Sequence, residues 1–300
     1  MSFNDNVTLD TSGVNRQVGG HRGLKIGGGV SGFGIAAAIL YFALTGNINP
    51  SLLSLGSDGG AGVQQGKTVD IAAQCQTGAD ANTDPYCRMV AGKNSLDTFW
   101  SKDLPAETDT TYQSAGLTLY DGATFTACGT GTSDMGPFYC PGDGTVYMDV
   151  TFFDKLQSMG AENTSLAQLY ILAHEWGHHI QNQLGILSQM NRDDLGPNGD
   201  MVRSELQADC LAGAWINNAS STIDADTGQA YLKRPTQAEL SSALAAASAV
   251  GDDTIYENAG MKANPDNFSH GSAEKRMQWL NTGIQGGTIA ACNTWDVAQP

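Results

Sequence analysis

Ser165-Leu-Ala-Gln-Leu-Tyr-Ile-Leu-Ala-His-Glu-Trp-Gly-His-His-Ile-Gln-Asn-Gln-Leu184, followed by Gly185, carries most of what can be read about fold and chemistry. Ser165-x-x-Gln168 has the form of a capping box and predicts a helix running to Leu184, with Gly185 as its C-terminal stop. Leu169, Tyr170, Leu172, Ala173, Trp176, Ile180 and Leu184 recur at helical spacing, so one side of this helix faces a core. His174 and His178 lie four residues apart on one face and can reach a single metal ion. Glu175 sits one step round the helix, placed to touch a metal-bound water without ligating the metal. Such an ion, zinc for this ligand type, lowers the pKa of its water toward about 7, where a carboxylate can take the proton. His179 points about 100° away and does not join that face.

Two histidines leave a catalytic zinc site one protein ligand short. Gln181 and Leu184 stand where the extended metzincin pattern needs glycine and histidine, so the missing ligand comes from elsewhere. Glu205-Leu-Gln-Ala-Asp209 lies on the next predicted helix, about Val202 to Asn217, and again pairs two side chains four apart. Glu205 is the expected third ligand, and Asp209 the residue that orients a ligand histidine by a hydrogen bond. Residues 189–200 form a plausible return loop between the two helices. Asp193 and Asp194 within it are alternative ligands.

Upstream of the histidine helix the chain is β-rich. Leu117 to Tyr120, the turn Asp121-Gly122 and Ala123 to Thr126 are expected as strand, turn and strand, and a further strand follows from Thr145 to Val150. A helix is expected over 85–102, with Val90, Leu96, Phe99 and Trp100 on one face. Downstream, helices are expected from Thr236-x-x-Glu239 to Val250 and from about Ser272 to Thr282. Strands first and helices later indicate an α+β fold, and no internal repeat is visible.

The N-terminal part differs in character. Ile26 to Leu44 carries no charge, and nineteen residues at about 1.5 Å each span roughly 28 Å, close to a bilayer core. Arg16, Arg22 and Lys25 precede it and no Lys or Arg follows until Lys67, which by the positive-inside rule puts the N-terminus in the cytoplasm. The expected organisation is a cytoplasmic tail (1–25), a transmembrane anchor (26–44), a Gly/Ser-rich linker (45–67) and an extracytoplasmic domain (68–300). Six cysteines suit an oxidising compartment. They allow fifteen connectivities. Sequential pairing, Cys75 with Cys87, Cys128 with Cys140 and Cys210 with Cys292, closes two short loops and ties the last helix to the middle of the domain. With 15 Lys+Arg against 31 Asp+Glu and a formal net charge of −16, the chain is unsuited to binding nucleic acid.

Several segments together resemble the bacterial neutral zinc metallopeptidases, membrane-anchored relatives of the gluzincin branch of zincins. They are the basic, Gly-rich lead into the apolar run, Cys128-Gly through Gly136-Pro-Phe-Tyr-Cys140-Pro, Val146-Tyr-Met-Asp149, His174-Glu-Trp-Gly-His-His-Ile-Gln181, Glu205-Leu-Gln-Ala-Asp-Cys210 and His270-Gly-Ser-Ala-Glu-Lys-Arg276. The resemblance implies a zincin-like fold in which the strand from Thr145 to Val150 borders the cleft and can pair with an extended peptide. The expected activity is zinc-dependent endopeptidase cleavage of extracytoplasmic proteins or peptides, from the bacterial cytoplasmic membrane. Glu175 would take the proton from the zinc-bound water and return it to the leaving amine. His270 is a candidate donor to the tetrahedral oxyanion, because gluzincin-like enzymes supply one downstream of the third ligand. The alternative is a non-catalytic, zinc-stabilised module of envelope binding or assembly. A structural zinc would not need the carboxylic acid beside His174.

Overall fold

Short β-branched and aromatic runs, each too brief to stand alone, build one mixed sheet. The computed structural model describes residues 1–19 and 66–300. The sheet has the order β2-β1-β3-β7-β6, from β1 (Val14–Val18), β2 (Lys67–Val69), β3 (Gly116–Tyr120), β6 (Phe138–Cys140) and β7 (Thr145–Met148). β1, β3 and β7 run parallel, with Leu117 opposite Val14 on one side and Val146 on the other. β2 and β6 are antiparallel edges. β4 (Ala123–Thr126) and β5 (Gly129–Thr132) form a separate two-stranded sheet.

Helices follow and interleave: α1 (Gly78–Thr83), α2 (Pro85–Glu107), α3 (Phe152–Ser158), α4 (Ser165–Gln183), α5 (Ile186–Gln189), α6 (Asp200–Asn218), α7 (Gln237–Ala249), α8 (Asp252–Asn258) and α9 (Ala273–Gly286). The mixed α+β class is that expected. α4 packs against α2, α6 and α7 and also touches β6 and β7, so the histidine helix is central. Trp100 from α2, Trp176 from α4 and Trp215 from α6 are buried in one core. Truncating a side chain of that size to alanine costs about 3–5 kcal/mol.

Four expectations are corrected by the packing. Asp121-Gly122 does not join a hairpin of β3 and β4: β3 pairs with β1 and β7, and β4 pairs with β5. Gly122, at φ 85°, instead turns the chain out of the main sheet, and Asp149 accepts its N–H. The strand at Thr145–Met148 is not an edge able to receive a peptide, since β3 and β6 occupy both its sides. The edge on that side is β6. The capping box at Ser165 is not formed, because the Gln168 amide is taken by Arg88 and Asn163. Thr164 caps α4 instead, its hydroxyl accepting from the Ala167 N–H.

The fourth correction concerns residues 1–18, which are part of the folded unit and do not form a separate tail. Phe3, Val7 and Leu9 lie in the core, β1 is an inner strand, and Val18 pairs with Lys67. A single crossing of a bilayer between these segments would separate residues that share one core. The proposed anchor, Ile26 to Leu44, and nearly all of the 45–67 linker lie outside the described residues. Among the described residues no helix is long and apolar enough to cross a membrane.

Candidate metal centre

α4 and α6 come close enough to share a site because Gly177 has no side chain. A Cβ there would lie 2.9 Å from both the Cα and the carbonyl oxygen of Ala208 on α6. The glycine inside the histidine motif, between His174 and His178, is therefore a point of close contact of the two helices.

Across this contact Glu205 meets both imidazoles. His174 Nε2 is 3.2 Å from Glu205 Oε2 and His178 Nε2 is 3.4 Å from Oε1. Ligand atoms of the three residues all lie within 4.8 Å of one another. A tetrahedral zinc with bonds of about 2.0–2.2 Å holds neighbouring donors about 3.3–3.6 Å apart, so this spacing fits the ion. The far side of each ring fits as well. His174 Nδ1 is 2.7 Å from Asp209 Oδ1 and His178 Nδ1 is 2.8 Å from Gln181 Oε1, both acceptors when facing an N–H. A proton on each Nδ1 leaves both Nε2 lone pairs pointing inward.

The electrostatics are those of a cation trap. At Glu205 burial opposes ionisation, but His178 and hydrogen bonds from both imidazoles hold the carboxyl well below its usual range. At Asp209 burial is likewise outweighed, by Arg276 and His174, and the carboxyl falls to about 2. Burial works against a proton on His174, yet Asp209 and Glu205 carry it up to about 10 without a metal. Glu175 behaves differently. Burial pushes its carboxyl up, only partly offset by the two histidines, and no hydrogen bond from the described residues holds it.

Glu175, the three candidate ligands and His270 line one cavity of about 460 Å³. Its other walls are largely apolar, with Met135, Phe138, Phe152, Met190, Met201 and Ile255 among them. His270 is set there by Asp252 at the start of α8. One Asp252 oxygen accepts the N–H groups of Ser269, His270 and Gly271, and the other lies 3.1 Å from His270 Nδ1. Burial would lower the pKa of His270, but Asp252 and Glu205 raise it above its ordinary value of 6.5. The Cys210–Cys292 disulfide ties α6 to the chain beyond α9, while Asp252 holds His270 locally. Cys75–Cys87 and Cys128–Cys140 are also bonded.

His179 stays out of the cluster. Its ring reaches the Tyr139 hydroxyl on β6 and the Gln113 carbonyl, and burial lowers its pKa. Asp193 and Asp194 are not ligands: Asp193 is exposed, and Asp194 accepts the Asp200 N–H at the start of α6.

Residues 2–295 match the model of a family described as "Putative neutral zinc metallopeptidase". The chain belongs to this zinc metallopeptidase family. The metallopeptidase is also 42% identical to the uncharacterized protein Rv2575 of Mycobacterium tuberculosis over 227 residues, 75% of this chain and 76% of that one. It is 41% identical to the uncharacterized protein YpfJ of Escherichia coli K12 over 190 residues, 62% of this chain and 63% of that one. No solved structure matches.

Sequence reasoning overlooked three groups that shape the site of the metallopeptidase: Gln181, Asp252 and Arg276. Gln181 was visible as a polar residue on the buried side of α4, and its amide N–H also donates to the Ser204 carbonyl, linking α4 to α6. Asp252 had no local signal beyond its place after Gly251 at a helix start.

Proposed function

We propose that this metallopeptidase is a gluzincin-like, zincin-fold endopeptidase that cleaves proteins or peptides outside the cytoplasm. One observation carries the reading: Glu175, with no hydrogen bond among the described residues, lines the same cavity as the converged His174, His178 and Glu205. A purely structural zinc would have no use for a free carboxyl group beside it or for a cavity of this size. Zinc held by His174, His178 and Glu205 supplies Lewis acidity, polarising a carbonyl and acidifying water.

Glu175 removes the proton from the attacking water and hands it to the leaving nitrogen. His270, held by Asp252 and charged above its ordinary pKa, donates to the oxygen that gains charge as the carbonyl is attacked. An extended substrate would lie along β6, the edge strand on that side of the described sheet, with Tyr139 tied through His179 to α4. The apolar walls favour a bulky apolar substrate side chain. Three disulfides support an oxidising compartment.

The decisive experiment is Glu175→Gln. The amide keeps the volume and cannot act as a base, so zinc content should remain at wild-type level while peptide hydrolysis falls by about 10²–10⁴-fold. Wild-type hydrolysis of a peptide library by the zinc-loaded variant would defeat the assignment.

A further inference from the structure

Arg276, on the first turn of α9, is 3% exposed and lines the same cavity as the candidate metal ligands. Its Nε donates to Asp209 Oδ2 at 2.8 Å and its Nη2 to Asp209 Oδ1 at 2.9 Å, a side-on fork on one carboxylate. Nη1 donates to the Val250 carbonyl at 3.1 Å and Nη2 also reaches the Tyr170 hydroxyl at 3.3 Å. Tyr170 in turn donates to Asp209 Oδ1 at 2.6 Å. That oxygen thus receives Tyr170, Arg276 and His174 together.

We infer that Arg276 is a positioning residue for the metal, acting through Asp209 to lock the ring and tautomer of His174. The inference rests on the metal site alone and holds whether or not the bound protein cleaves peptides. One argument, orientation, leads to it, and a second, charge, defines the role from which it must be told apart. Asp209 is fully buried and could rotate about its terminal torsion, which is soft in carboxylates. The guanidinium fork sets the plane of that carboxylate, and the plane decides whether Oδ1 points at His174 Nδ1. Nη2 lies 3.3 Å from Nδ1, so with the other tautomer it could donate to the ring itself. With Oδ1 held between them, both nitrogens instead donate to the same oxygen, and Nε2 is left free for the metal.

The second is charge. Glu175 and Asp209 are buried and Glu205 half-buried, all close to one point, and Arg276 lies 2.8 Å from Asp209 and 4.0 Å from Glu205. If all three ionise, a dication and one guanidinium balance them with the imidazoles neutral; Asp252 and His270 balance each other when His270 is protonated. A low-dielectric site tolerates charge only in such compensated sets.

These two roles predict opposite signs, which makes them separable. A neighbouring cation by itself repels a metal dication, so if Arg276 were merely charge, Arg276→Met would tighten zinc binding and Arg276→Lys would change nothing. A positioning residue predicts weaker binding in both, because lysine keeps the charge and loses the fork. The experiment is zinc affinity by chelator competition on purified full-length chain, with folding checked by circular dichroism on the metal-free form. We expect a 10–100-fold loss of affinity in Arg276→Lys, the scale seen for outer-shell partners of ligand histidines, and a loss at least as large in Arg276→Met. The visible spectrum of the cobalt-substituted protein should shift in Arg276→Lys, as the His174 ring reorients. Added to Asp209→Asn, Arg276→Lys should cost little further affinity, since its path runs through Asp209. Unchanged or tighter zinc binding in Arg276→Lys, or fully additive losses in the double variant, would overturn the inference. Should Arg276→Met fail to fold, the charge-retaining lysine variant decides alone.

Discussion

His174 and His178 stand on one helix and owe their mutual distance to its pitch, whereas His270 reaches the same cavity only because Asp252, eighteen residues earlier, gathers three backbone N–H groups and its imidazole. The α4–α6 half of the site is rigid by secondary structure and by a glycine contact. The half around α8 and α9 is rigid by side chains that accept or donate several hydrogen bonds each. The first kind of order survives many substitutions outside the ligands. The second depends on single residues such as Asp252 and Arg276, whose loss strands several buried partners at once.

The largest expected effect is on the helix-borne half. His178→Ala should lower zinc from one per folded chain toward none, measured by metal analysis after dialysis, and hydrolysis should vanish with it. Full zinc retention would mean that the converged ligands are not the metal site.

On the loop-borne half the effect should be smaller and should leave the metal in place. His270→Ala is expected to lower kcat by about a hundredfold at unchanged zinc content, the scale of losing one oxyanion donor. The sign of the pH dependence follows from Asp252, which lifts His270 above 6.5 against the effect of burial. The proton is therefore held to higher pH than on an ordinary imidazole, and the basic limb of kcat/KM should lie above 6.5. In Asp252→Asn that limb should move to lower pH. An unmoved limb would separate His270 from the reaction.

The smallest effect sharpens the comparison from the packing side. Gly177→Ala places a methyl group 2.9 Å from backbone atoms of Ala208, and should cost about 1–3 kcal/mol of stability in urea unfolding. Zinc affinity should fall with it, as Glu205 is pushed from the histidines. A variant of wild-type stability and affinity would show that α4 and α6 can separate without disturbing the ligands.

His174, Glu175, His178, Glu205 and Asp209 were legible in the sequence because a helix converts a spacing of four into a shared face, and both pairs sit inside well-formed helices. The cap of α7 was legible for the same local reason, with Thr236 and Glu239 completing the expected box. What lay beyond reading depends on partners far apart in the chain. The turn Asp121-Gly122 has hairpin chemistry, yet β3 finds more burial between β1 and β7 than beside β4. Residues 1–18 read as part of a cytoplasmic tail, yet Phe3, Val7 and Leu9 lie in the core and β1 is an inner strand of the sheet.

By itself the sequence determined the chemistry of the ligands and the helices that carry them, since both depend on contacts within about one helical turn. Only the tertiary structure decided which strand is the edge of the described sheet, that the first eighteen residues join the core, and that Asp252 and Arg276 border the site. Those outcomes turn on burial and charge compensation between segments tens to hundreds of residues apart, for which no local spacing leaves a trace.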